Sequence, residues 1–214
     1  TELLARLLSE EAACRRERTL AYRLDQAQLP WRWTLDSFPF ARQPGINRTQ
    51  IQTLAGLEFL RRNENLLLIG PTGVGKSGIA IALLREACLN GYRGCFYNAQ
   101  ALLDELQRQL AAYKLLIIDE LGYVTVKAEQ ANAFFRLMEQ RYNRASTIIT
   151  TNLDFPDWYT LFQNKNLVDA LLDRLQHHCI TLRINGPSLR APNLPSAEQT
   201  AAPAKPSRAK RSKR

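Results

Sequence analysis

Apolar and polar positions follow two periods along the chain. Over residues 2–28, Leu3, Leu4, Leu7, Leu8, Leu20 and Leu24 recur at helical spacing with charges between them. Pro30 ends that pattern. An aromatic connector follows, with Trp31, Trp33, Phe38 and Phe40 close together. Asn47 stands at the cap position of a helix expected over 48–62, with Gln50 in the capping-box place. Ile51, Leu54, Ala55 and Phe59 would form its buried face.

From Leu66 onward, short apolar runs alternate with helical patterns. Strands are expected at 66–69, 94–98, 115–118, 147–150 and 179–184. Helices are expected at 77–90, closed by Gly91, at 99–112 and at 129–142. In the second of these, Leu102, Leu103, Leu106 and Leu110 would face inward. The run 115–118 is wholly apolar, which points to a central strand. Alternating strand and helix predicts an α/β fold with a five-stranded parallel sheet between helices.

Charge separates the last residues from the rest. The chain of 214 residues carries 29 Lys plus Arg against 20 Asp plus Glu, a net +9. Residues 191–214 hold Lys205, Arg208, Lys210, Arg211, Lys213 and Arg214 against Glu198, which leaves +4 on residues 1–190. This stretch is rich in Pro and Ala and has no aromatic, so a disordered basic tail that attracts polyanions is expected. No apolar run nears the roughly 20 residues of a membrane span. No secretory leader is legible, and Cys14, Cys88, Cys95 and Cys179 form no ligand spacing. Reduced, buried thiols in a cytosolic protein are the expectation.

The chemistry concentrates at the ends of the expected strands. Gly70-Pro71-Thr72-Gly73-Val74-Gly75-Lys76-Ser77 fits the phosphate-cradling pattern GxxxxGK[ST] between a strand and a helix. Glycines let backbone N–H groups converge on phosphate oxygens, and the following helix adds its positive end. Lys76 can reach the β- and γ-phosphates of ATP, and the Ser77 hydroxyl can ligate Mg²⁺. Asp119 ends an apolar run 43 residues after Lys76, where it would hold Mg²⁺ through water. Glu120 beside it can polarise an attacking water. That carboxylate argues for hydrolysis and against a small-molecule kinase, which must keep water from the γ-phosphate. The aromatic connector could cover adenine or stack on bases, but packing onto the core is the stronger expectation.

Asn152, at the end of the fourth strand, could hydrogen-bond the γ-phosphate or the water. Arg174 lies on an amphipathic helix around 169–175, where sequence alone reads it as a surface arginine paired with Asp173 or Asp169. His177 and His178 are read against a metal site, since neighbours on a strand point to opposite faces.

The runs LLLIGPTGVGKS, LLIIDELGY, TIITTN and ALLDRLQHH, in that order, resemble the IstB-like ATP-binding proteins, relatives of DnaC-type helicase loaders in the AAA+ superfamily. The likeness covers about residues 45–190. Its most specific parts are Asp119-Glu120-Leu121-Gly122-Tyr123 and Gly186-Pro187-Ser188-Leu189-Arg190. The resemblance implies an AAA+ ATPase whose cradle strand lies between the fourth and fifth strands. It implies Asn152 as the sensor and Arg174 as the finger reaching a neighbouring subunit's ATP. It further implies a bacterial homo-oligomer that binds double-stranded DNA and recruits or stimulates a transposase; a DnaC-like helicase loader is the alternative. The expected organisation is a helical segment and connector at 1–44, the ATPase domain at 45–190 and the basic tail at 191–214. Against typical members, the N-terminal helical region and the stretch between Asp104 and Leu115 look short.

Overall fold

A computed structural model describes residues 2–104, 110–162 and 164–190, apart from the side chains of residues 2–5 and Gln176. The basic tail and Leu106 lie outside the described residues.

Five strands form one parallel sheet: β1 (Asn65–Ile69), β2 (Gly94–Asn98), β3 (Leu115–Asp119), β4 (Ser146–Thr151) and β5 (Cys179–Arg183). Their order is β2-β3-β4-β1-β5, so β1 lies between β4 and β5 as expected. Period-two alternation sends Leu66 and Leu68 to one face, Leu67 and Ile69 to the other, and both faces are covered. The helices are α1 (Glu2–Gln26), α2 (Arg48–Ala55), α3 (Glu58–Arg61), α4 (Lys76–Leu89), α5 (Ala99–Asp104), α6 (Ala128–Arg141), α7 (Trp158–Leu161) and α8 (Lys165–His177). Residues of α2, α3 and α4 build the core on the Leu66 face. Residues of α5, α6 and α8 build it on the other.

Several expectations are corrected. The helix over 48–62 breaks at Gly56-Leu57, where Leu57 turns left-handed (φ 60°) and is buried. Continuous helix there gives way to burial of Leu57, Phe59 and Leu60. Asn47 does cap α2, accepting from the Gln50 N–H. The helix expected over 99–112 is α5 and, after residues outside the description, a 3₁₀ turn at Leu110–Ala112.

β3, apolar up to Asp119, is central as expected, paired with β2 and β4, but the middle place in the sheet belongs to β4. β4 reads Ser-Thr-Ile-Ile-Thr-Thr, and every residue is buried. Its hydroxyls are hydrogen-bonded inside the protein, which lets a half-polar strand take the centre. The segment 155–161, unassigned from sequence, forms a 3₁₀ turn and α7, and sets Trp158 into the core.

The connector largely tucks in: Phe38 is buried, 4.8 Å from the Phe40 ring and 5.9 Å from that of Trp33, while Trp31 stays exposed. Among its described side chains, α1 packs through its last turns, and Leu7 and Leu8 are exposed. Cys88 and Cys95 are buried and Cys179 half-buried, but Cys14 stands exposed on α1, against the expectation of burial. His177 ends α8 and His178 caps it, so neither lies on a strand, and their rings meet edge to face at 4.6 Å.

Candidate nucleotide site

β1 ends at the sheet's carboxyl edge and the chain turns through 70–75 into α4. Gly73 (φ 85°) and Gly75 (φ 98°) adopt left-handed backbone that other residues resist. A Cβ on Gly73 would also fall 2.1 Å from the Ser188 Oγ, and one on Gly75 2.7 Å from the Phe38 ring. The turn is therefore held from outside as well as by its own geometry. Lys76 opens α4 and folds back across the loop, donating from Nζ to the Gly70 and Pro71 carbonyls at 2.7 and 2.8 Å. Burial pushes its ammonium pKa down, and the nearby Asp119 carboxylate partly offsets this.

Asp119 ends β3 and is buried. Its Oδ1 accepts from the Ser77 Oγ at 2.7 Å and from the Thr150 Oγ1 at 2.5 Å. The register that pairs Ile118 with Ile149 brings the ends of β3 and β4 level, so Thr150 meets Asp119. Glu120 turns left-handed (φ 62°), which parts its side chain from that of Asp119. Its N–H donates to the Thr150 Oγ1 at 3.0 Å, and its Oε2 accepts from the Asn98 Nδ2 at 3.2 Å. The two adjacent carboxylates thus occupy different environments. Asp119 is buried and doubly bonded; Glu120 is partly exposed and open to solvent.

Asn152 is exposed beside the cradle, where it helps line a cavity of about 390 Å³ with Gly70, Thr72 and Tyr123. The Tyr123 hydroxyl hydrogen-bonds Thr72. Asn152 and the cradle are thus brought together. Arg174 is not: it lies in the last turn of α8, 3.2 Å from Glu139 and with its guanidinium over the Tyr142 ring. Tyr142 precedes β4, so this contact sits toward the amino edge of the sheet, away from the chain's own cradle. The partner is Glu139 on α6 rather than Asp173 or Asp169; Asp169 accepts from Tyr159 instead.

Three contributors escaped the sequence reading. Thr150 was visible only as part of a polar strand end, and Asn98 carried no pattern signal. Gln43 is fully buried, and its Nε2 donates to the Val74 carbonyl at 3.1 Å and to the Pro187 carbonyl at 2.9 Å. Among the described residues its Oε1 has no hydrogen-bond partner. An unsatisfied buried acceptor costs about 1–3 kcal/mol. Gln43 therefore ties segments together at a net stability gain smaller than its two bonds imply.

Comparison with known proteins gives one family. The chain matches the IstB-like ATP binding protein family over residues 1–197. It is 43% identical over 201 residues to a protein of Pseudomonas aeruginosa named as an ATP-binding protein of insertion sequence IS21, covering 88% of this chain and 76% of that one. A Geobacillus stearothermophilus protein named likewise for insertion sequence IS5376 is 35% identical over 202 residues, covering 89% and 80%. Among solved structures, the DnaC helicase loader superposes with a TM-score of 0.60 at 23% identity, covering 71% of this chain and 96% of that one. AMPPCP-bound DnaA from Aquifex aeolicus superposes with a TM-score of 0.56 at 18% identity, covering 73% and 51%. These likenesses show the fold, a P-loop AAA+ arrangement.

Proposed function

Since the chain belongs to the IstB-like ATP-binding protein family, we propose that it is an ATPase that assembles on double-stranded DNA and recruits or stimulates a transposase. The observation that carries the hydrolytic part is the division of labour between Asp119 and Glu120. The backbone N–H groups of residues 70–75 and Lys76 take the β- and γ-phosphates, with Lys76 exchanging loop carbonyls for phosphate oxygens. The oxygen-only pair Ser77 and Asp119 suits a hard cation, and Mg²⁺ would be held there. When bound, Mg²⁺ supplies charge neutralisation at the phosphates. Glu120, held by Asn98, accepts a proton from the attacking water. Asn152 hydrogen-bonds the γ-phosphate or that water.

Arg174 cannot serve its own cradle, since it packs on α6 toward the other edge of the sheet. It acts as a finger on a neighbouring subunit's ATP, which ties hydrolysis to assembly of a homo-oligomer. Residues 1–44 serve as the partner-selecting segment, 45–190 as the ATPase domain, and 191–214 as a tail whose +5 charge adds salt-sensitive attraction to DNA. No described helix is long and apolar enough to cross a membrane. The working site is the bacterial cytoplasm. The relatives' names favour an insertion-sequence role over helicase loading. Phosphate release and sedimentation, each with and without duplex DNA, test the reading. ATP-dependent assembly on duplex with faster hydrolysis is expected; ATP binding without turnover in either condition would overturn it.

A further inference from the structure

The motif Gly186-Pro187-Ser188-Leu189-Arg190 lies across the cradle. Just before it, the Ile184 N–H donates to the Ile69 carbonyl at 2.7 Å; within it, the Leu189 N–H donates to the Gly73 carbonyl at 2.7 Å. Between these points Gln43 joins Pro187 to Val74, bridging the connector, the cradle and this segment. Gly186 is required beneath it, because a Cβ there would fall 1.7 Å from the Gln43 Oε1. The segment is thus fastened along its length. Its last residue, Arg190, has its guanidinium 3.8 Å from the Glu120 Oε1, while Asn98 bonds the other carboxylate oxygen.

We infer that residues 185–190 form a strap, buckled by Gln43, and that Arg190 at its end is a positioning residue that holds Glu120 toward the attacking water. This rests on the hydrolase reading given above. Arg190 and Glu120 are 64% and 41% exposed, and such a pair contributes little to stability. Its consequence is the orientation of a single carboxylate. Arg190 also lies near enough to Lys76 to add, after burial, to the lowering of its pKa. The strap gives the N-terminal connector a mechanical route to the catalytic carboxylate, since Gln43 of the connector bonds Pro187 in the strap and Arg190 at the strap's end faces Glu120.

Steady-state phosphate release by the full chain tests the inference. Arg190→Ala is expected to lower kcat about tenfold, as for removal of a group that orients a catalytic residue. KM for ATP should stay within about twofold. Arg190→Lys should recover part of the loss. Gln43→Leu should lower kcat in the same direction. In the Glu120→Gln background, Arg190→Ala should cost nothing further, because it acts through Glu120. A risen KM at unchanged kcat, or an additive loss in the double variant, would overturn the inference. A wild-type chain with no turnover overturns the hydrolase reading and this inference with it. Wild-type turnover matched by Arg190→Ala overturns this inference alone.

Discussion

Replacing Thr150 by valine keeps the shape and removes one hydroxyl at the junction of both carboxylates. Thr150 is fully buried, donates to the Asp119 Oδ1 at 2.5 Å and accepts from the Glu120 N–H at 3.0 Å. A hydrogen bond to a charged group contributes about 1.5–3 kcal/mol, and an orphaned buried N–H costs about 1 more. Valine's extra apolar burial returns part of this, about 0.8 kcal/mol for one carbon. The net loss is therefore about 2–3 kcal/mol, a melting shift of roughly 5–10 °C for a chain this size. Urea unfolding of wild type, Thr150→Val and Thr150→Ser measures it. Serine keeps the hydroxyl and should lose only about 1 kcal/mol. Thr150→Val should also slow ATP hydrolysis, since the Glu120 backbone loses its anchor. A valine variant that unfolds at the wild-type urea midpoint would mean that the Thr150 hydroxyl contributes no net stability.

Arg141 is fully buried and donates to the Leu110, Tyr113 and Ser146 carbonyls and to the Thr147 hydroxyl. Arg141→Met should cost about 3 kcal/mol or more by orphaning those acceptors, read by urea unfolding. Gly73→Ala should weaken ATP binding at least about tenfold in a fluorescence titration, because left-handed backbone and the Ser188 side chain both oppose a Cβ there. Mixing Arg174→Ala subunits with Glu120→Gln subunits should restore some phosphate release. No recovery at any ratio, with assembly intact, would exclude a finger acting between subunits.

Much of this fold was legible because its signals are local. Continuous apolar runs mark β1 and β3, an alternating one marks β5, and the glycine pattern at 70–77 requires a strand before it and a helix after it. β4 hid its central place because its threonines and serine find partners only after folding. The break at Leu57 was equally invisible, since helix propensity says nothing of what a left-handed leucine can bury. At the site, Lys76, Ser77, Asp119 and Glu120 sit on two contiguous motifs and could be read directly. Thr150, Asn98, Gln43 and Arg190 act through contacts spanning 22 to 144 residues of sequence. The expected pairing of Arg174 with Asp173 or Asp169 fails for the same reason: its partner, Glu139, lies 35 residues away in sequence on α6.

On the proposed reading, Glu120 activates water over a nucleotide held by the cradle. Single-turnover phosphate release from Mg²⁺-ATP by wild type and Glu120→Gln, with ATP affinity measured on both, tests it most directly. Unchanged affinity and hydrolysis slowed by about 100-fold or more in the variant are expected. Equal rates at equal affinity would contradict it.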